Sequence, residues 1–210
     1  MINKSRLTGL YAIADTQYLD DKRLLPAVGE ALAGGARIIQ YRDKKHVAAD
    51  RARQATELAS LCRQHGALFI INDDVELAKQ VQAAGVHLGR EDASLAQARA
   101  QLGPEAIIGV SCYNDLARAV KAQAEGADYV AFGSFFPSRT KPQAVRAGLE
   151  LLCEAKQKLR IPVVAIGGIT HENGAHLLAA GANALAVIEG VFGQDDVRAA
   201  AERYTRLFNL

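Results

Sequence analysis

Eight short apolar runs punctuate the chain: GLYAIAD (9–15), ARIIQYRDK (36–44), LFIINDD (68–74), GVHLG (85–89), AIIGVSC (106–112), DYVAFGS (128–134), PVVAIGG (162–168) and ALAVIEG (184–190). The third, fifth and seventh are rich in Ile, Val and Phe and nearly lack internal charge, the pattern of parallel strands covered on both faces. Between the runs, apolar residues recur at helical three- and four-residue intervals, as in Leu24, Leu25, Val28 and Leu32, or Ala55, Leu58, Ala59 and Leu61. Gly34–Gly35, Gly66, Gly85, Gly126 and Gly181 read as helix ends ahead of the next strand. Ser94 reads as a helix N-cap, Thr170 as the cap of a helix over 171–180, and Asp74 as the cap of the shortest helix, over roughly 75–83.

Eight strands alternating with eight helices is the arithmetic of an α/β (β/α)8 barrel, the TIM barrel. A doubly wound open sheet gives the same alternation, but the even count and a last run ending just before a terminal helix favour closure. The runs are evenly spaced and no linker or low-complexity tract interrupts them, which predicts one catalytic domain over 1–210. In this fold the chemistry sits at the C-terminal ends of the strands. The polar tails of the runs are therefore a first outline of an active site.

Composition narrows the classes that remain. The 210 residues are 50% hydrophobic and 23% charged, with a net charge of +2, too small to argue for nucleic acid or an anionic membrane. No stretch of about 18 uninterrupted apolar residues predicts a membrane span, and Asp15 arrives before any signal-peptide core could form. Cys62, Cys112 and Cys153 are odd in number and lack metal or redox spacing, which reads as free thiols in a reducing cytoplasm. Monomer and homodimer both stay open.

Charge enters the barrel mouth unevenly. In the second run Gln40, Arg42 and Lys44 share one face by strand alternation. The outward face of such a strand is covered by helices and disfavours two cations, so the trio is expected inward, facing a polyanion or polar heterocycle. Asp73 and Asp92 follow neighbouring strand ends and could approach one another, suggesting Mg²⁺ shared with substrate phosphates. The loop after run six gathers Ser138, Arg139, Thr140 and Lys141, residue types that can wrap phosphate as a lid. Gly167–Gly168 and Glu189–Gly190 end runs seven and eight, where barrels often hold phosphate. Asp15, at the end of run one, has no assigned role, and His87 reads as a packed or hydrogen-bonded barrel histidine rather than a base.

The chain resembles the thiamine-phosphate synthase family along essentially its whole length. The motifs are QYRDK at 40–44, NDD at 72–74, AGVHLGRED at 84–92, IIGVS at 107–111, GADYVAFGSFFPSRTK at 126–141, AIGGI at 165–169 and AVIEGVFG at 186–193. The resemblance implies a transferase of thiamine biosynthesis. It joins 4-amino-2-methyl-5-pyrimidinylmethyl diphosphate to 4-methyl-5-(2-phosphoethyl)thiazole, giving thiamine phosphate and pyrophosphate. It implies that Gln40, Tyr41, Arg42, Asp43, Lys44, Asn72, Ser111 and Lys141 contact the pyrimidine diphosphate. By the same resemblance Asp73 and Asp92 bind Mg²⁺, while Ser138, Arg139, Thr140, Gly168, Ile188 and Glu189 meet the thiazole phosphate. Arg42, Lys44, Ser111 and Lys141 are the expected catalytic residues, the cations clamping the departing pyrophosphate. Cys112 is a bystander, because no covalent nucleophile is needed.

Two positions depart from the common pattern of the family. Ser138 stands where many members carry Thr, which keeps the hydroxyl. Glu189 stands where many carry Ser, so its side chain is expected to point away and its backbone to serve. Rival readings are a thiazole tautomerase on the same barrel, a sugar-phosphate isomerase, and a non-catalytic sensor of thiamine intermediates. The joint presence of Gln40, Arg42, Lys44, Asp73, Asp92 and Lys141 argues against the tautomerase. An isomerase would need a general acid–base pair, for which Asp15 and His87 are the only loose candidates. A sensor stays open but leaves the metal pair and Lys141 unexplained.

Overall fold

Residues 7–137 and 145–209 are described by the computed structural model. Strands β1 (Gly9–Asp15), β2 (Ile38–Arg42), β3 (Leu68–Asn72), β4 (Gly85–Leu88), β5 (Ile107–Tyr113), β6 (Tyr129–Phe132), β7 (Val163–Ile166) and β8 (Ala184–Val187) pair in chain order, all parallel. β8 returns to β1 with Gly9 opposite Ala184 and Ala12 opposite Val187, which closes the barrel and excludes the open sheet.

Closure buries both faces of every strand, and two separate apolar layers result. Inward positions such as Tyr11, Ile13, Ile38, Ile70, Ile107, Tyr129 and Val164 fill the barrel. The alternate positions, such as Leu10, Ile39, Phe69, Val86, Ile108, Val130 and Leu185, pack under the helices. This is why the runs read as continuous hydrophobic stretches rather than alternating ones. Each large aliphatic buried this way contributes about 1.5–3 kcal/mol.

The helices are α1 (Asp21–Ala33), α2 (Ala48–Gln64), α3 (Val75–Gln80), α4 (Leu95–Leu102), α5 (Leu116–Ala124), α6 (Leu149–Lys158), α7 (Gly174–Ala180), α8 (Glu189–Phe192) and α9 (Val197–Arg206). The described residues thus carry nine α-helices rather than eight, because the four-residue α8 is inserted between β8 and α9. Asp74 caps α3 by accepting from Leu77 N–H, and Ser94 caps α4 in a reciprocal box with Gln97. Thr170 does not cap α7. It accepts from Asn173 N–H across a preceding turn, and Asn173 is the residue before α7. Gly85 is likewise no helix end: it opens β4, where a Cβ would lie 1.7 Å from the Ile107 carbonyl oxygen. None of the described helices is long and apolar enough to cross a membrane.

Candidate active site at the barrel mouth

Strand parity decides which polar residues face the axis. Tyr11, Ile13 and Asp15 of β1 point inward, as do Gln40 and Arg42 of β2, Asn72 of β3, His87 of β4, Ser111 of β5 and Tyr129 of β6. Gln40 donates from Nε2 to the Tyr11 hydroxyl at 2.7 Å. Arg42 Nη1 donates to Asp15 Oδ2, giving the carboxylate at the end of β1 a partner. Lys44, just past β2, reaches Asp73 with Nζ 2.6 Å from Oδ2 and remains half exposed.

The two aspartates of the NDD motif divide their work. Asp74 caps α3 and pairs with Arg51. Asp73 turns out of β3 with φ +64°, a left-handed conformation that aspartate tolerates better than most residues, while its N–H still donates to the His87 carbonyl. The turn brings the Asp73 and Asp92 carboxyls into hydrogen-bond contact. Asp92 also accepts from Gly89 N–H at 2.6 Å. Burial and the neighbouring Asp73 raise the Asp92 carboxyl above its ordinary range, against a smaller downward pull from Gly89 N–H and Lys44. Among the described residues no cluster of three or more His, Cys, Asp or Glu side chains could hold a metal. A protein donor set here is thus two carboxylates, which suits a hard cation completed by water and phosphate oxygens.

A cavity of about 320 Å³ opens beside this group, lined by Asp43, Lys44, His46, Arg51, Asn72, Asp73 and Asp74. A larger hollow of about 690 Å³ lies on the outer helix layer against α1 and Asp195, Asp196 and Arg198, away from the strand ends. Size therefore does not mark the chemistry in this molecule; charge and strand direction do.

Of the residues that the resemblance groups with the diphosphate contacts, Asp43 lines the smaller cavity and Tyr41 faces the other way. Tyr41 alternates outward from Gln40, is buried under α2, and its hydroxyl lies 2.6 Å from Gln54 Oε1 and 2.9 Å from Asp43 Oδ2. Asp43 ties down the loop after β2, accepting from Thr16 Oγ1 and from the N–H groups of Lys45 and His46. Burial pushes its carboxyl up, yet these bonds and that of Tyr41 outweigh it and hold Asp43 well below the usual carboxylate range.

On the far side of the mouth, Ile188 continues the inward face of β8 and packs against the barrel core. Glu189 opens α8 half-buried, and Gly168 turns with φ +61° after β7. Ser138, Arg139, Thr140 and Lys141 lie outside the described residues.

Sequence reasoning passed over the two interior tyrosines. Tyr11 and Tyr129 are fully buried with hydroxyls 2.9 Å apart, and His87 bridges from Tyr129 (Nδ1, 2.9 Å) to Ser111 Oγ (Nε2, 2.8 Å). Gly109, the β5 partner of Tyr129, makes the room: a Cβ there would lie 2.0 Å from the tyrosine Cζ. The available signal was a tyrosine at an inward position where these strands otherwise carry aliphatics, facing a glycine on the next strand.

Comparison with known proteins identifies the family to which this barrel is similar. The sequence profile of a family described as Thiamine monophosphate synthase matches residues 10–191. A thiamine-phosphate synthase of Nitrosococcus oceani is 54% identical over 204 residues, covering 97% of this chain and 94% of that protein. One from Chromobacterium violaceum is 55% identical over 196 residues, covering 93% and 94%. Among solved structures, thiamine phosphate pyrophosphorylase from Pyrococcus furiosus superposes with a TM-score of 0.87 at 38% identity, covering 98% of this chain and 97% of that one.

Proposed function

Because the chain belongs to the thiamine monophosphate synthase family, we propose that the strand ends around Arg42, Lys44, Asp73 and Asp92 hold the diphosphate of the pyrimidine substrate together with Mg²⁺. The activity is that of a thiamine-phosphate synthase, a transferase of thiamine biosynthesis. The bond from the pyrimidinylmethyl carbon to the diphosphate oxygen breaks, with the electron pair leaving on pyrophosphate. A bond from the thiazole ring nitrogen to that carbon forms. The electron-rich aminopyrimidine favours a dissociative path, so the protein's tasks are to stabilise departing charge and to align the nitrogen with the carbon.

The contact between the Asp73 and Asp92 carboxyls carries this reading. Two carboxylates forced together are costly unless a proton or a cation lies between them. Asp73 and Asp92 would hold Mg²⁺, which would supply charge neutralisation for the leaving diphosphate. Lys44, half exposed on a flexible stem, can transfer from Asp73 to a phosphate oxygen. Arg42, aimed by Asp15, presents a fixed guanidinium to the same anion. Gln40, Asn72 and Ser111 orient the pyrimidine from inside the barrel. Gly168, Ile188 and Glu189 take the thiazole phosphate, with Ser138, Arg139, Thr140 and Lys141 assigned to it and to the diphosphate by resemblance. A Glu189 carboxylate about 4 Å from that phosphate would repel it by roughly 4 kcal/mol at an effective dielectric near 20; this position therefore serves through its backbone. Three free cysteines support a cytoplasmic setting.

The test is one reaction containing both substrates and Mg²⁺, with and without chelator, following thiamine phosphate and pyrophosphate. Both products should appear together and stop on chelation. Full turnover in excess chelator would remove Mg²⁺ from the site, and conversion of the thiazole phosphate alone would identify a tautomerase.

A further inference from the structure

A chain of hydrogen bonds crosses the barrel interior from β2 to β5. Gln40 Nε2 lies 2.7 Å from Tyr11 Oη, Tyr11 Oη 2.9 Å from Tyr129 Oη, Tyr129 Oη 2.9 Å from His87 Nδ1, and His87 Nε2 2.8 Å from Ser111 Oγ. Its two ends are the mouth residues Gln40 and Ser111. Its three middle members are joined to one another inside the barrel. We propose that Tyr11, Tyr129 and His87 are positioning residues that fix the hydrogen-bond polarity of Ser111 and Gln40 and thereby select a ring bearing both a nitrogen acceptor and an amino donor.

The protons can be counted along the chain. Gln40 Nε2 can only donate, so Tyr11 accepts from it and its own proton goes to Tyr129. The Tyr129 proton then goes to His87 Nδ1, which must be the bare ring nitrogen. The ring proton therefore sits on Nε2 and is donated to Ser111 Oγ. The Ser111 proton is left for the mouth, and with Nε2 engaged, Gln40 turns its carbonyl oxygen there. Burial holds both phenols far above their ordinary range, so each keeps the single proton this count needs. With His87 neutral, a proton on Nδ1 would leave Nε2 to accept from Ser111 and would require Gln40 to present its oxygen to Tyr11 at the other end of the chain. The far ends of the mouth are thus coupled: Ser111 donates when Gln40 accepts.

A 4-aminopyrimidine matches this pattern, with ring nitrogens as acceptors and an exocyclic amine as donor. A 4-oxo analogue places an acceptor against the Gln40 oxygen and should be rejected. This specificity claim rests on the proposed placement of the pyrimidine diphosphate; the polarity claim does not.

Two measurements test it. The first is the ¹⁵N shift pair of the His87 ring, assigned by loss in His87→Gln and read without substrate at about pH 9, above the usual imidazole range. Protonated Nε2 and bare Nδ1 are expected, with Nδ1 moving toward its unbonded position in Tyr129→Phe. A proton on Nδ1, or no change in Tyr129→Phe, overturns the proposal. The second compares the 4-amino substrate with its 4-oxo analogue as competitive inhibitor. Wild-type protein should discriminate by about tenfold or more, and Tyr11→Phe, which frees the Gln40 amide to turn over, should lose most of that ratio. The KM for the thiazole phosphate should stay within about twofold in both variants, because a single chain of bonds to the other substrate is affected. Equal movement of both KM values, or an unchanged ratio, means a purely structural role and sinks the proposal. If the protein binds no pyrimidine diphosphate, the specificity claim falls with the site reading; if it binds but Nδ1 carries the proton, the chain itself is wrong.

Discussion

Asp15 and Arg42 are direct partners across the β1–β2 ladder, and their side chains meet at the end of it, Arg42 Nη1 2.5 Å from Asp15 Oδ2. The pair is asymmetric: the Asp15 side chain is 0% exposed and that of Arg42 21%. Arg42→Ala leaves a buried carboxylate supported by the Gln17 N–H at 2.9 Å. It should cost about 3 kcal/mol, against about 1 kcal/mol for Asp15→Ala, where the guanidinium can turn to water. Calorimetry should show the larger fall in Tm for Arg42→Ala; equal falls would contradict the asymmetry.

The Asp73–Asp92 contact makes the opposite forecast for stability. The Asp92→Asn substitution keeps a side-chain oxygen for Gly89 N–H and removes the like charge. In chelator the Tm of this variant should match or exceed wild type by a few degrees, on the order of 1 kcal/mol. Added Mg²⁺ should raise the wild-type Tm and leave the variant nearly unmoved. Turnover in Asp92→Ala should need far more Mg²⁺ or cease while the fold is kept, and an unchanged Mg²⁺ dependence would remove Asp92 from the site.

Asp43 tests the separation of loop support from ligand contact. Its folded carboxyl is held below the unfolded value, so its stabilisation is present above about pH 4 and is lost as pH falls through the folded value. Asp43→Asn should be less stable than wild type by about 2 kcal/mol at pH 7. The gap should close in acid. A gap independent of pH would show that the charged form is not what the loop uses.

The cysteines should differ in reactivity. Burial pushes the Cys62 and Cys112 thiols up to about 12, whereas Cys153 is exposed. A thiol reagent at about pH 8 should modify one cysteine in the folded protein and three after denaturation. Rapid labelling of Cys112 would mean that β5 opens at the mouth.

Much of the barrel was legible because each strand is buried on both faces. An uninterrupted apolar run such as Leu68–Ile71 has no other economical reading between helical segments. Asp74 and Ser94 were legible as caps because capping is local, resting on an N–H three residues away. Thr170 was misread for the same local reason: its hydroxyl finds Asn173 N–H within a turn, and α7 starts later. That Tyr41 packs outward against Gln54 and that Asp43 accepts from Thr16, Lys45 and His46 was not legible in the motif, because those partners are set by how α2 and the loops fold over β2.

The order of residues by itself determined the alternation of elements and the strand ends where charge collects, because backbone periodicity and burial are properties of neighbouring positions; closure rests on β8 meeting β1. Only the tertiary structure decided that Asp15 belongs to Arg42, that Asp73 touches Asp92, and that Tyr11, Tyr129 and His87 join Gln40 to Ser111. Those partners lie 19 to 118 positions apart in the chain. They meet because curling eight twisted strands around one axis aims every second side chain at the same small volume, where an unpaired polar group must find whichever partner the opposite strand supplies.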